Sequence, residues 1–213
     1  MTKIKVTKNG PYVISGNLPI NEDIVEYDQE GIPLKTNKGP AISSDPQCTL
    51  CRCGHSKNPP FCDGTHKSIN FDGTENPDNQ EKYEDQADVI DGPDLILKDA
   101  PSLCASAGFC HRAGGVWELT KNSDNPKSKK IAIEECYCCP SGRLVAVDKN
   151  TGKALEPKLD PSIGIPDGGP LCVKGDVEIE SADGQIYEKR NRVTLCRCGK
   201  SSNKPFCDGS HVD

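Results

Sequence analysis

Three cysteines and one histidine recur at the same spacing in two segments of this chain. Both segments read Cys-x-Cys-x8-Cys-x3-His, and 13 of their 17 positions are identical. We call residues 50–66 the first motif and residues 195–211 the second motif. Three soft thiolates and an imidazole at fixed spacing form a metal-binding set. The candidate ligands are Cys51, Cys53, Cys62 and His66 in the first motif, and Cys196, Cys198, Cys207 and His211 in the second.

Two other interpretations of these cysteines must be weighed. A disulfide framework is disfavoured because the 13 cysteines are an odd number, and because Cys-x-Cys is too close for an easy internal bridge. Residues 1–6 also carry no apolar run of signal-peptide length. Structural zinc accepts the same ligand set, but zinc sites usually pair their cysteines as Cys-x2-Cys or wider. The spacing therefore favours an iron–sulfur centre, with zinc as the alternative.

Both motifs resemble the CDGSH iron–sulfur family, the mitoNEET-like proteins. The resemblance rests on the Cys-Asp-Gly-(Ser/Thr)-His ending and on the proline two residues before its cysteine. It implies one [2Fe-2S] cluster per motif, held by three cysteines and one histidine. It further implies that the inner iron lies on Cys51 and Cys53 or on Cys196 and Cys198, and the outer iron on Cys62 and His66 or on Cys207 and His211.

The family resemblance also has a consequence for architecture. Relatives with one motif per chain form homodimers that exchange β-strands over two clusters. The resemblance therefore implies a monomer with an internal pseudo-dimer, related by a pseudo-twofold axis. Two independent modules are the alternative.

The ending of each motif has its own physical logic. Cysteine and histidine stand four residues apart, so one helical turn would place both on one face. We expect helix N-termini at Cys62 and Cys207, capped by Asp63 and Asp208. An ordinary turn at each Asp-Gly pair is the alternative, and it is compatible with such a cap.

The middle of the chain carries a third group of cysteines. Its Cys-x5-Cys and Cys-Pro-Ser-Gly segments resemble a divergent single-cluster ferredoxin domain of about 65 residues. Ferredoxins normally take three cysteines from the first loop, whereas this chain offers two. The pattern predicts a third cluster, [3Fe-4S] on three cysteines or [4Fe-4S] with a fourth ligand, against the alternative of cysteines that only pack in a core. The candidates are Cys104, Cys110 and Cys139, with Cys138, Cys136 or His111 as a possible fourth ligand.

Composition points to small, ligand-stabilised units. Only 34% of the 213 residues are apolar, and Gly and Pro together contribute 37. Such loop-rich chains usually need metals, disulfides or association to stay folded. The net charge of −6, without a basic stripe, argues against nucleic acid or anionic lipid as a partner. No apolar run approaches membrane-spanning length, so we expect a cytoplasmic protein.

The repeat extends beyond the ligands and sets the expected domains. A Gly-Pro turn and a short β-run precede each motif, and the first copy is 14 residues longer between run and motif. We predict a small β-rich α+β fold, in which two CDGSH modules flank a ferredoxin-like α+β unit.

In the ferredoxin-like unit we expect a strand over 115–120, a polar loop over 121–130, a helix opening at Pro126 and running toward Cys138, and a strand over 143–148. The predicted domains are a first module (1–74), an acidic linker (75–94), a middle unit (95–160) and a second module (161–213).

No separate catalytic site is evident, because the chain has no phosphate-binding loop, triad or acid pair. The sequence predicts a single-electron carrier that serves a redox partner protein. The alternative is a donor of clusters to an apo-acceptor protein, or a redox or pH sensor, because a histidine ligand has a second nitrogen that titrates. An interaction module with structural zinc is the third interpretation.

Overall fold

The computed structural model describes residues 2–212, apart from the side chain of Asp78. It is a small, β-rich α+β fold with three sheets, as the sequence predicts. Short 3-10 helices cover Pro77–Gln80, Pro101–Leu103 and Phe109–Gly114. The helices are α1 (Thr65–Ser68), α2 (Tyr83–Gln86), α3 (Val116–Lys121) and α4 (Pro126–Cys138), and the strands are β1 (Lys3–Val6), β2 (Tyr12–Ser15), β3 (Ile20–Tyr27), β4 (Pro33–Ser43), β5 (Gln47–Leu50), β6 (Asp88–Asp91), β7 (Leu95–Asp99), β8 (Leu144–Asp148), β9 (Ser162–Pro166), β10 (Leu171–Lys174), β11 (Glu178–Glu180) and β12 (Arg192–Leu195).

The two halves of the repeat exchange strands. The first sheet has the order β11-β1-β2-β5, so three strands of the first half accept β11 from the second half. The second sheet has the order β12-β10-β9-β3-β4, so three strands of the second half accept β3 and its hairpin partner β4 from the first. Both crossing pairs, β1 with β11 and β3 with β9, are parallel.

One hydrophobic core lies between these two sheets. Alternate residues of β1 and β2 are buried, as the period of two in a strand requires, whereas β12 is buried along its whole length. The core includes Ile4 and Ile14 from the first half and Ile163 and Leu195 from the second. Because both halves bury their apolar residues in the same core, the alternative of two independent modules is wrong.

The extra length in the first copy forms the hairpin of β3 and β4. Strand β4 lies against α4 and against the 3-10 helix Phe109–Gly114 of the middle unit. The thiol of Cys138 donates to the carbonyl of Leu34, at a sulfur–oxygen distance of 3.5 Å. The hairpin therefore holds the middle unit.

The middle unit packs two helices on the antiparallel sheet β6-β7-β8. Helix α4 begins at Pro126, and the Asn125 side chain accepts from the backbone N–H of Lys127 at 2.9 Å. This helix and the strand over 144–148 confirm the predictions for those segments, although α4 takes up half of the predicted polar loop.

The predicted strand over residues 115–120 is wrong, because this segment is helix α3. Val116, Leu119 and Thr120 are buried together, which is the spacing of one helix face. The Thr120 hydroxyl donates to the Val116 carbonyl at 2.7 Å, one helical turn earlier. The aromatic and β-branched residues that favoured a strand are instead packed against α4, since tertiary packing overrides a weak local propensity.

The acidic stretch over residues 75–94 contains the short 3-10 helix Pro77–Gln80, α2 and β6. Tyr83 is buried there, and its hydroxyl lies within hydrogen-bond distance of the carbonyl oxygens of Arg143 and Lys98, at 2.8 and 3.0 Å. Glu75 accepts from the Tyr187 hydroxyl at 2.6 Å. The stretch is thus tied to both the middle unit and the second half. Within residues 2–212, no helix has the length and apolar character to cross a membrane.

Candidate metal centres

The first motif brings its four candidate ligands together as two pairs. The sulfurs of Cys51 and Cys53 are 3.7 Å apart, and both residues are buried. The Cys62 sulfur lies 3.4 Å from Nδ1 of His66, and both residues are partly exposed. Backbone bonds at the end of β5 hold the loop, because Cys51 N–H donates to Pro60 O at 2.7 Å.

The second motif repeats this geometry. The sulfurs of Cys196 and Cys198 are 3.7 Å apart, and the Cys207 sulfur lies 3.4 Å from Nδ1 of His211. A hydrogen bond from Cys196 lowers the pKa of Cys198 to about 5, and the same bond raises the pKa of Cys196. One thiol of the pair therefore ionises readily, and the thiolate is the form that binds metal.

The arrangement of donors fits a two-metal cluster better than a single ion. A tetrahedral zinc site needs four donors that converge on one point. Among residues 2–212, no group of three or more His, Cys, Asp or Glu side chains converges on a point where one metal ion could sit. Each motif offers two donor pairs instead, which is the arrangement that a [2Fe-2S] cluster with two ligands per iron requires.

The predicted helices at the motif endings are only partly present. Helix α1 begins at Thr65 after Gly64, not at Cys62, and the second motif has a turn at the same place. The expectation that Asp63 and Asp208 cap a helix beginning at the cysteine is therefore wrong. Glycine takes this position because its φ is +89° in the first motif and +91° in the second.

Asp63 and Asp208 brace the loops instead. One oxygen of Asp63 accepts from Thr65 N–H at 3.0 Å and the other from Lys57 N–H at 2.8 Å. These backbone hydrogen bonds hold the pKa of Asp63 at about 2. The bonds from Ser210 and Ser202 lower the pKa of Asp208 although burial opposes them. Each carboxylate thereby ties the middle of the loop between the second and third cysteines to the turn that precedes the histidine.

The two motifs touch at their inner cysteines. Cys53 and Cys198 form an antiparallel β-bridge, followed by Gly54 at φ +77° and Gly199 at φ +80°. A Cβ on Gly54 would lie 2.4 Å from Cys198 O, and one on Gly199 would lie 2.6 Å from Cys53 O. The backbones at this junction are therefore too close for any side chain.

An arginine inside each Cys-x-Cys also contributes to the site, although it is not among the predicted site residues; its signal in the sequence is its identity in the two copies. Arg52 is only 1% exposed and donates to Thr7 O at 3.2 Å and Gly73 O at 2.6 Å. Arg197 donates to Gly169 O and to Pro166 O, at 2.5 and 3.1 Å. Both guanidiniums fix neighbouring backbone, and the positive charge of Arg197 also interacts with the candidate ligands Cys51 and Cys198.

Replacing Arg52 with Met is expected to lower the free energy of unfolding by roughly 2–6 kcal/mol, because two carbonyls lose their donor at about 1–3 kcal/mol each. Arg197→Met is the matched control, and its effect should be smaller because Arg197 is only half-buried. Denaturant unfolding of both variants measures the difference. Equal losses would contradict the expectation.

Three cysteines of the middle unit line one small cleft. They are Cys104, Cys110 and Cys139, and Pro140 and Arg143 also belong to its wall. Burial, and next the proximity of Cys139, raise the pKa of Cys110 to about 11. A hydrogen bond to Asp99 and a smaller contribution from Cys104, opposed by burial, raise the pKa of Arg143. Arg143 thus adds a fixed positive charge beside the thiols.

The other candidate ligands of the middle unit are not in the cleft wall. Cys136 is 1% exposed within α4, and the Cys138 thiol is directed to Leu34 O. His111 is exposed, with its ring centroid 6.0 Å from that of Trp117. Only three of the six candidates therefore share the cleft.

Glu135 lies on α4 and is fully buried. Neither carboxylate oxygen has a hydrogen-bond partner, and Nε of Arg112 is 3.7 Å away. Burial, only partly offset by Arg112, raises the pKa of Glu135 from 4.5 to about 7.

Glu135→Gln is expected to stabilise the loaded protein at pH 8 but not at pH 4.5. In the unfolded chain Glu135 loses its proton near pH 4.5, and in the folded chain near pH 7. Between these values the folded state holds more protons, so stability falls as pH rises, by up to about 3 kcal/mol. Thermal unfolding of the parent and of Glu135→Gln across this range, with Glu134→Gln as the control, measures the effect; a stability difference between parent and Glu135→Gln that does not grow from pH 4.5 to pH 8 contradicts it.

Comparison with family models agrees with the geometry. The iron-binding zinc finger model of CDGSH type matches residues 9–67 and 168–212, and the divergent 4Fe-4S mono-cluster model matches residues 90–149. A search of curated proteins returns no match. The chain is an iron–sulfur protein in which two CDGSH-type iron-binding regions flank a divergent 4Fe-4S mono-cluster region.

Proposed function

We propose that this protein holds two [2Fe-2S] clusters and one further cluster and carries single electrons. The paired arrangement of donors in each motif supports this best. Cys51, Cys53, Cys62 and His66 hold one cluster, and their counterparts in the second motif hold the other. Such clusters supply one-electron chemistry at potentials that their ligands and surroundings set.

The third cluster is assigned to Cys104, Cys110 and Cys139, which line one cleft. Three cysteines match a [3Fe-4S] cluster. A [4Fe-4S] cluster would take its fourth ligand from solvent or from a side chain that moves into the cleft. Arg143 contributes positive charge that stabilises the thiolate form of the ligands.

The chain's own residues suit a carrier because they hold the ligands rigidly. The inner cysteines of the motifs are buried or half-buried, Arg52 and Arg197 fix the backbone around them, and Asp63 and Asp208 brace the outer loops. The outer pair of the first motif is partly exposed and can face a redox partner protein. No residue is assigned a catalytic role.

We further propose that a pseudo-twofold axis relates the two CDGSH modules within a monomer. The reciprocal strand exchange and the bridge between Cys53 and Cys198 support this symmetry. All 13 cysteines are free of disulfides, which favours a reducing compartment such as the cytoplasm.

Repeated reduction and reoxidation distinguishes the carrier from a cluster donor. The holoprotein is reduced stepwise with dithionite under anaerobic conditions, reoxidised, and followed by visible absorbance and EPR. A carrier recovers its full absorbance over several cycles and keeps its clusters when mixed with an apo-ferredoxin. Loss of absorbance on oxidation, with matching gain by the apo-ferredoxin, would overturn the carrier assignment in favour of a donor.

A further inference from the structure

The ligand loop of the second motif touches the cysteine loop of the middle unit. Gly209 stands between Cys207 and His211, and a Cβ there would lie 2.3 Å from Ser106 Oγ and 3.4 Å from Cys104 O. The first motif has no such contact, since a Cβ on Gly64 would meet nothing within 4 Å. The two glycines have nearly the same φ, so the neighbouring segment alone distinguishes them.

A buried arginine makes a second connection between the same two sites. Arg192 opens β12, the strand that leads into Cys196, and is 4% exposed. Its Nη1 donates to the carbonyls of Cys136 and Cys139, each at 2.5 Å, and its Nη2 pairs with Glu156. The strand of the second motif thereby fixes the backbone of Cys139. The first motif has exposed Gln47 at the corresponding position.

A shared cleft forms the third connection. Its walls include His211 and Val212 from the second motif and Ser106, Phe109 and Pro140 from the middle unit. Pro140 directly follows Cys139, so candidate ligands of two centres lie at or next to the same cavity.

We propose that the second motif and the middle cysteines form one coupled pair of metal centres, and that the first motif, although it adjoins the second, is not coupled in this way to the middle cysteines. This inference rests on the proposed iron–sulfur function. Its physical basis is that loading of either site orders a loop or strand that also positions a ligand of the other. Because such linkage is reciprocal, emptying the middle site should also weaken cluster retention in the second motif.

EPR of the dithionite-reduced holoprotein tests the pairing. His66→Cys and His211→Cys shift the signals of the first and second motifs and so assign them. Cys110→Ser, which empties the middle site, should lower severalfold the microwave power that half-saturates the second-motif signal and leave the first-motif signal unchanged. An equal response of both signals, or of neither, would overturn the pairing.

Gly209→Ala with Gly64→Ala as its control tests the contact itself. Gly209→Ala should change the relaxation of the second-motif signal and speed loss of that cluster severalfold, while Gly64→Ala should affect only the first. Arg192→Gln gives the second copy the residue that the first copy has at Gln47, and it should reduce the iron content of the middle site. Arg192→Lys should restore part of that iron. Retained first-motif signal serves as the folding control.

The failure of this inference can be separated from failure of the proposed function. A protein with full iron and sulfide whose two [2Fe-2S] signals respond alike keeps its proposed function but has no coupled pair. A protein that binds no iron overturns both.

Discussion

Gly54→Ala is expected to abolish cluster binding in both CDGSH-type motifs, because the added methyl group pushes apart the backbones at the junction of the two motifs. A Cβ on Gly54 would lie 2.4 Å from the carbonyl oxygen of Cys198, and this oxygen belongs to backbone that cannot move aside like a flexible side chain. The positive φ of +77° adds about 1–2 kcal/mol for any L side chain. Together these effects should lower the free energy of unfolding by several kcal/mol.

Gly64→Ala is the matched control for this variant. Its φ of +89° imposes the same backbone cost, but its Cβ would meet no atom within 4 Å. Iron per chain and thermal unfolding of the two variants therefore separate the clash from the conformational cost. Gly199→Ala should behave like Gly54→Ala, since its Cβ would lie 2.6 Å from Cys53 O. If Gly54→Ala behaved no worse than Gly64→Ala, the junction would not support the motifs.

His66→Cys and His211→Cys are each expected to lower the reduction potential of one cluster by about 100 mV or more. A thiolate adds negative charge where the imidazole adds none, so the reduced state becomes less favourable. Rieske centres have two histidine ligands, and their reduction potentials lie several hundred millivolts above those of plant-type ferredoxins. One histidine should account for part of that difference. Potentiometric titration followed by EPR measures each signal by itself.

Thr65→Ser provides the control for the first histidine variant. It gives the first motif the residue that the second motif has at Ser210, beside the same histidine. Its potential should stay close to that of the parent protein. A potential that rises or stays constant in His66→Cys would contradict histidine ligation in the first motif, and the same result in His211→Cys would contradict it in the second.

The local features of this fold were predictable because their causes are local. Asn125 and Pro126 mark the start of α4 by a side-chain cap and a fixed φ, and both operate within one turn. The spacing of Cys62 and His66 likewise brings sulfur and nitrogen to 3.4 Å through a short turn of chain. The predicted helix start at Cys62 is wrong, because Gly64, whose φ is positive, separates Asp63 from the first residue of α1.

The features that were missed depend on distant parts of the chain. The internal repeat and the family resemblance implied that two related halves exchange strands, but not which strands pair: the parallel pairings of β1 with β11 and of β3 with β9 follow from packing of a common core. Residues 115–120 carry strand-favouring side chains, and their helix is set by contact with α4. The bonds of Arg192 to the Cys136 and Cys139 carbonyls span more than 50 residues and leave no local pattern.

The claim that this protein holds two [2Fe-2S] clusters and one further cluster is tested most directly by its metal content. Iron, zinc and acid-labile sulfide per chain are measured on anaerobically purified protein, together with the visible spectrum and low-temperature EPR. Two [2Fe-2S] clusters and one [3Fe-4S] or [4Fe-4S] cluster predict about seven or eight irons with matching sulfide, red-brown colour and two kinds of EPR signal. About four irons would support the paired clusters and contradict the third. Colourless protein with stoichiometric zinc would contradict the account.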